Sequence, residues 1–166
     1  MTQFYKVSEE QFKSDCATIF SHWGIPYEDF KTPIRATRHS AGYDIFAPFS
    51  FMLDPGETIT IPTGFKIELE PRQFLMIVPR SGLGFKYQLC LANTVGIIDA
   101  DYYNNKNNEG HIMVKLVNRG DKVIHVEKGS AFCQGIIMNY DVTNDDNVLF
   151  ARNGGLGSTD KKEVSV

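Results

Sequence analysis

After Pro33 the sequence consists of short apolar or alternating runs, separated at close intervals by proline, glycine, aspartate and asparagine. Runs of this length between turn-forming residues are typical of β-strands, and the alternation over 58–61 and 65–69 supports this. The ten predicted strands are 43–47, 49–53, 58–61, 65–69, 74–78, 89–91, 94–98, 112–117, 122–126 and 131–139. The pattern therefore predicts a mainly β domain of the jelly-roll, sandwich or barrel kind.

One helical pattern precedes the predicted strands, over residues 8–22. Ser8 followed by Gln11 is a capping-box pattern, and Gly24 and Pro26 stop the helix. Its apolar face consists of Phe12, Cys16, Ile19 and Phe20. We therefore divide the chain into an N-terminal strand and helix extension (1–33), a β domain (34–143) and a flexible, glycine-rich tail (144–166).

Composition excludes several classes of protein. A chain of 166 residues fits one domain with a real core, and its net charge of −3 argues against broad binding of nucleic acid or anionic membranes. We find no apolar run near the roughly 18 residues of a membrane span. The three scattered cysteines form neither a zinc pattern nor an even disulfide set, so we expect a cytoplasmic, reduced protein.

Residues 93–102 carry the first candidate site. The apolar run 94–98 predicts a strand that delivers Asp99 to the mouth of a hairpin, with 111–117 as the return strand. A carboxylate at a strand end beside an aromatic ring, here Tyr102, is typical of a binding pocket. The alternative is that Asp99 and Asp101 only begin a turn.

Four further segments combine turn formers with groups that bind anions or metals. They are 40–44 with Asp44, 79–86 with Arg80, Ser81 and Gly82, 129–134 with Gln134, and 152–159 with Arg152, Ser158 and Thr159. Arginine offers a planar fork to phosphate oxygens, and glycine lets backbone N–H groups approach an anion. Each segment alone is also a competent turn, cap or disordered end, and none contains the P-loop pattern.

Together these five segments resemble the five motifs of the trimeric dUTPases in order and spacing. The resemblance covers about residues 34–160, and other segments resemble phage and Gram-positive bacterial members. It rests on 41–44 (Ala-Gly-Tyr-Asp), 79–83 (Pro-Arg-Ser-Gly-Leu), 93–102 (Asn-x-x-Gly-x-Ile-Asp-x-Asp-Tyr), 129–134 (Gly-x-x-x-x-Gln) and 152–159 (Arg-x-Gly-Gly-x-Gly-Ser-Thr). It implies a jelly-roll-like, β-clip subunit with an added N-terminal helix. It also implies a homotrimer with shared active sites and Mg²⁺-dependent hydrolysis of dUTP to dUMP and pyrophosphate.

The resemblance also implies a role for each matching residue. Asp99 would activate the attacking water and meet the 3′-hydroxyl, and Tyr102 would lie under the deoxyribose. Uracil would be read by Asn93 and by the backbone at Gly110, His111 and Ile112. Phosphates would contact Arg80, Ser81, Gly82 and Gln134, and Asp44 would anchor waters of Mg²⁺. The tail would close over the substrate through Arg152, Gly155, Leu156, Gly157, Ser158 and Thr159.

The sequence departs from the family pattern at several places. Ala131 stands where arginine is usual, Leu156 where an aromatic residue is usual, Arg152 lies one residue closer to the tail glycines, and 103–108 is an insertion. Two alternatives remain. One is a deoxycytidine nucleotide deaminase, which needs Arg-Ser-Ser where this chain has Arg-Ser-Gly at 80–82. The other is a nucleotide-gated regulatory protein that contacts a protein partner through 103–108 or the helix, although inert decoration is the expected role of both segments.

Overall fold

The computed structural model describes residues 1–19 and 26–149, and these form a mainly β protein. The strands are β1 (Gln3–Lys6), β2 (Ile34–Arg35), β3 (Gly42–Phe46), β4 (Phe51–Leu53), β5 (Thr58–Pro62), β6 (Phe65–Glu68), β7 (Gln73–Pro79), β8 (Leu89–Leu91), β9 (Gly96–Asp99), β10 (Met113–Asn118), β11 (Ile124–Val126) and β12 (Ala131–Asn139). The helices are α1 (Glu9–Ile19) and α2 (Ser81–Tyr87), with single 3₁₀ turns at Tyr27–Asp29 and Ala100–Tyr102. Among the described residues, no helix is long and apolar enough to cross a membrane.

The largest sheet is antiparallel and has the strand order β2-β3-β12-β7-β9. A second sheet has the order β5-β10-β8, and two pairs, β1-β6 and β11-β4, complete the domain. One core joins them, since Ile45, Leu75, Leu116 and Phe132 are all buried in the same cluster. Side chains alternate along the longer strands such as β7 and β10, so one face of each packs on this core and the other faces outward.

The predicted fold class is confirmed, and all ten predicted strands are present with ends that differ by at most two residues. The ten predicted strands do not include β2, which has only two residues, both exposed. β1 lies within the N-terminal strand and helix extension. The segment 81–87, which we treated as a turn with anion-binding groups, forms the short helix α2.

The predicted hairpin between 94–98 and 111–117 is wrong. β9 pairs with β7, whereas β10 pairs with β5 and β8 in another sheet. The 3₁₀ turn after Asp99 and the loop that follows carry the chain from the first sheet to the second. Two neighbouring runs can therefore look like a hairpin in sequence and still belong to different sheets.

Residues 1–19 and 26–33 pack against the β domain. β1 pairs with β6, and Val7, Phe12, Cys16 and Phe30 form a second small core beside the main one. The predicted cap is present, because the N–H of Gln11 donates to Ser8 Oγ at 3.1 Å. The second half of the capping box is replaced, since the Ser8 N–H donates to Glu109, 101 residues away, at 3.0 Å.

Gly64 provides a test of how tightly the N-terminal segment packs. Its φ is +76°, and a Cβ there would lie 2.1 Å from Cδ1 of Phe30. We expect Gly64→Ala to lower the free energy of unfolding by about 2–5 kcal/mol, the sum of backbone strain and overpacking. Gly56→Ala is the matched control, because φ is +83° there but nothing lies within 4 Å in the described part of the chain.

The measurement is urea unfolding of both variants at one protein concentration. Gly56→Ala carries the backbone strain alone, of about 1–2 kcal/mol. Equal losses in the two variants would show that the Phe30 ring moves away without cost.

Candidate active site

The first group of predicted residues lies on the outer face of the large sheet. Asp44 on β3, Gln134 on β12 and Val78 on β7 are in register, so their side chains stand in one row on one face. The Gln134 side chain lies across Gly42, where a Cβ would be 2.3 Å from its Oε1. Gly42 must therefore remain without a side chain for Gln134 to keep this position.

Arg80 joins this row from the end of β7. Its Nε lies 3.5 Å from Oδ1 of Asp44, whose side chain is only 14% exposed, whereas Arg80 is 47% exposed. Ser81 and Gly82 follow at the exposed start of α2. One end of the sheet therefore holds five of the predicted residues, which we call the phosphate-binding cluster: Asp44, Arg80, Ser81, Gly82 and Gln134.

Asp99 and Tyr102 lie at the other end. Asp99 is the last residue of β9 and is in register with Phe74, near the start of β7. Tyr102 is only 6% exposed. Its hydroxyl donates to the carbonyl of His111 at 3.1 Å and accepts from Nδ2 of Asn108 at 2.8 Å.

The backbone predicted to read uracil already makes hydrogen bonds inside the chain. The N–H groups of Gly110 and His111 donate to Asn108, at 3.1 and 2.8 Å, and that of Ile112 donates to Phe65 at 3.1 Å. A base contact at these three residues would use other backbone groups or require the loop to adjust. Asn93 is exposed in the turn between β8 and β9.

The His111 side chain is fully buried and acts within the fold. Its Nε2 accepts the N–H of Gly64 at 2.9 Å, and its Nδ1 lies 2.7 Å from Oδ2 of Asp15 in α1. Because the backbone N–H of Gly64 can only donate, Nε2 of His111 must be the acceptor, and Nδ1–H then donates to Asp15. Any contact of His111 with a substrate would be through its backbone, as predicted.

Within one chain, the predicted residues at the two ends of the sheet lie far apart. Asp99 lies opposite Phe74, and Arg80 follows six residues later along β7, a separation of roughly 20 Å at about 3.3 Å per residue. Arg80 also points to Asp44 on β3, away from β9. The predicted tail residues Arg152, Gly155, Leu156, Gly157, Ser158 and Thr159 lie outside the described residues.

Sequence reasoning missed Glu109, which joins three parts of the fold. Its carboxylate accepts from the Ser8 N–H and hydroxyl and from Nζ of Lys66, and Lys66 also donates to Asn104. Burial alone would raise the pKa of Glu109, but the hydrogen bonds from Ser8 and Lys66 outweigh it and hold the pKa below its ordinary value. The nearest sequence signal was the run of turn formers around it, which does not indicate partners so far away.

The comparisons with known proteins identify the family. A family model described as dUTPase matches residues 28–159, so the chain belongs to the dUTPase family. The deoxyuridine 5′-triphosphate nucleotidohydrolase of Lactococcus lactis subsp. lactis is 43% identical over 129 residues, which cover 76% of this chain and 86% of that protein. Its counterpart from Haemophilus influenzae strain PittEE is 36% identical over 142 residues, covering 81% and 90%.

Solved structures agree with this assignment. The crystal structure of dUTPase from Streptococcus mutans is 32% identical and superposes with a TM-score of 0.64 over 85% of this chain and 98% of its own. A dUTPase from phage phi11 of S. aureus is 19% identical, with a TM-score of 0.63 over 90% and 97%, and supports the fold alone. The predictions of a dUTPase-like fold and of a dUTP nucleotidohydrolase are thus confirmed.

Glu109 generates a prediction about pH. Because the folded-state pKa of Glu109 is lowered, its carboxylate contributes stability that is fully present above pH 4.5, its ordinary pKa. This stabilisation is lost as the pH falls through the folded-state pKa. We expect Glu109→Gln to unfold at lower urea than wild type at pH 7, and the difference to shrink below pH 4.5. Glu10→Gln, at an exposed position of α1, is the control, and a Glu109→Gln deficit that stays constant with pH would contradict the assignment.

Proposed function

We propose that this dUTPase hydrolyses dUTP to dUMP and pyrophosphate at a site in which Asp99 orients and activates the attacking water. The position of Asp99 carries the proposal: β9 ends there, the register with β7 fixes it, and the buried Tyr102 follows within one 3₁₀ turn. Hydrolysis of a phosphoanhydride depends mainly on positioning and charge neutralisation. A single well-placed carboxylate therefore suffices as the base.

The phosphate-binding cluster supplies the other half of the proposed site. Arg80 and Gln134 offer donors to phosphate oxygens, and Ser81 and Gly82 offer a hydroxyl and exposed backbone at the start of α2. The contact with Asp44 orients the Arg80 guanidinium before substrate arrives. A triphosphate bound here would place its leaving pyrophosphate among fixed positive and hydrogen-bonding groups.

Magnesium fits this arrangement as an ion held mainly by the substrate. Mg²⁺ takes most of its ligands from phosphate oxygens and water and needs few protein carboxylates. The described residues contain no group of three or more His, Cys, Asp or Glu that could hold a metal. Asp44 is the carboxylate of the phosphate-binding cluster. Bound Mg²⁺ would neutralise the triphosphate, and Asp44 would accept hydrogen bonds from its waters.

Sugar and base would be recognised beside Asp99. The Tyr102 ring would lie under the deoxyribose and leave no room for a 2′-hydroxyl, and the exposed Asn93 amide together with the backbone at 110–112 would read uracil. The tail residues 152–159 would close over the phosphates. These roles rest on the match of each position to a family motif.

The separation of the two halves supports a homotrimer with shared sites. Water must attack a phosphorus of the triphosphate that the phosphate-binding cluster would hold, so Asp99 and Arg80 have to act within a few ångströms of each other. One chain keeps them roughly 20 Å apart. A head-to-tail contact in a closed ring brings different surface patches of two copies together. The face that carries both halves also exposes Ile34, Ile97 and Met138, at 57%, 50% and 38%, which a neighbouring copy would cover.

Neither alternative gains support. Gly82 stands where a deoxycytidine nucleotide deaminase needs its second serine, and the relatives described above are dUTP nucleotidohydrolases. The protein-partner role of 103–108 and α1 stays a prediction, as does the cytoplasmic location.

Replacing Asp99 tests the base. We expect Asp99→Asn to lower kcat for dUTP at least about a hundredfold, the low end for loss of a general base, in an assay of pyrophosphate release with Mg²⁺. Asp101→Asn is the control, because Asp101 is exposed two residues further on. Full activity of Asp99→Asn with a loss in Asp101→Asn would move the water-activating role to Asp101.

Mixing two inactive variants tests whether the site is shared. If Asp99 and Arg80 of each site come from different chains, co-refolded Asp99→Asn and Arg80→Ala form some sites with both native residues. Random assembly into a ring gives about a quarter of wild-type activity. A mixture no more active than the sum of its components would place both residues in one chain.

A further inference from the structure

The insertion at 103–108 is folded around Asn105. This residue is only 8% exposed, and its Oδ1 accepts the N–H groups of Asn107 and Asn108 at 3.0 and 3.2 Å. Its Nδ2 donates to the carbonyl of Tyr102 at 2.9 Å and to Oδ1 of Asn108 at 2.8 Å. The loop therefore has a fixed internal structure attached to Tyr102.

Asn108 extends this network to the Tyr102 phenol. Its Nδ2 donates to the Tyr102 hydroxyl at 2.8 Å and to the His111 carbonyl at 3.2 Å, and its Oδ1 also accepts the Gly110 N–H at 3.1 Å. The Tyr102 hydroxyl in turn donates to the same His111 carbonyl. The phenol is thus held both as donor and as acceptor, which fixes its rotation as well as its position.

The network is anchored to the N-terminal helix. The same His111 whose carbonyl holds the phenol is fixed through its side chain by Asp15 in α1 and by the Gly64 N–H. Two residues earlier in the chain, Glu109 binds Ser8 at the start of α1. The C-terminal end of the loop is therefore joined to α1 by two neighbouring residues.

We propose that Asn108 is a positioning residue that determines sugar specificity by fixing the Tyr102 ring against the deoxyribose. The proposal rests on the proposed function, in which this ring excludes a 2′-hydroxyl. Exclusion by a ring depends on its staying in place, because a displacement of about 1 Å can admit an additional oxygen or misplace the sugar. Asn108 acts through Tyr102, and the insertion is part of the site rather than the inert loop expected from the sequence.

The test compares Asn108→Ala with Asn107→Ala in the full-length assembled protein. kcat and KM are measured for dUTP and UTP with Mg²⁺, and the ratio of the two kcat/KM values is the readout. We expect Asn108→Ala to reduce the preference for dUTP about tenfold, mainly by improving use of UTP relative to dUTP. Asn107→Ala should keep the wild-type ratio, because Asn107 is exposed and contributes only its backbone N–H.

A second background separates this role from general weakening of the fold. In Tyr102→Phe the hydroxyl that Asn108 holds is gone, so adding Asn108→Ala should change the ratio by less than about twofold. A tenfold further change in that background would show that Asn108 does not act through the phenol and would overturn the proposal. Should Asn108→Ala fail to fold, Asn108→Asp keeps the acceptor for Gly110 but turns an acceptor toward the His111 carbonyl, and the same fall in preference is expected.

The proposal is overturned if a folded Asn108 variant keeps the wild-type preference. Failure of the proposed function is a different result, in which wild type releases no pyrophosphate from dUTP. In that case the ratio of the Kd values for dUMP and UMP, measured by calorimetry, replaces the kinetic ratio. An Asn108 variant that loses the wild-type preference in binding supports the positioning role, and one that keeps it overturns the role.

Discussion

The pairing of β7 along both of its edges is the constraint on which the rest of the site depends. β12 lies on one side and β9 on the other, and their registers place Gln134 opposite Val78 and Asp99 opposite Phe74. A slip of one residue between β7 and β12 would exchange Gln134 for the buried Cys133 on the outer face and break the core. The same hydrogen-bonded registers therefore also hold the two halves of the proposed site at opposite ends of one face.

Under the proposed function, this separation makes assembly both a chemical and an energetic requirement. No motion of a side chain closes roughly 20 Å along a strand, so in the proposed mechanism a second copy supplies the missing half. The outer face that carries both halves also exposes large apolar side chains, and covering them contributes about 25 cal/mol per Å². In such an assembly, stability and completion of the site would depend on the same surface.

Sequence reasoning succeeded where the signal is local. Short runs between turn formers gave the bounds of β8 and β12, and the five motifs identified the candidate residues and the family. It failed where partners are distant: nothing near β9 indicates that it pairs with β7, and nothing near His111 indicates an aspartate 96 residues away. Gln134 was predicted as a phosphate contact from its motif, but its dependence on Gly42 is visible only across the sheet.

The insertion after Tyr102 shows how a loop can lengthen beside a proposed substrate site and still keep a fixed structure. Loop closure entropy grows slowly, by only about 0.6 kcal/mol for each doubling in length, so added residues cost little. Two asparagines then satisfy the new backbone groups and hold the phenol, and the Glu109 contact with Ser8 attaches the loop to α1. The N-terminal helix and the insertion are therefore linked through the residues that follow the insertion, because Ser8 binds Glu109 and Asp15 binds the side chain of His111, whose carbonyl accepts from Tyr102.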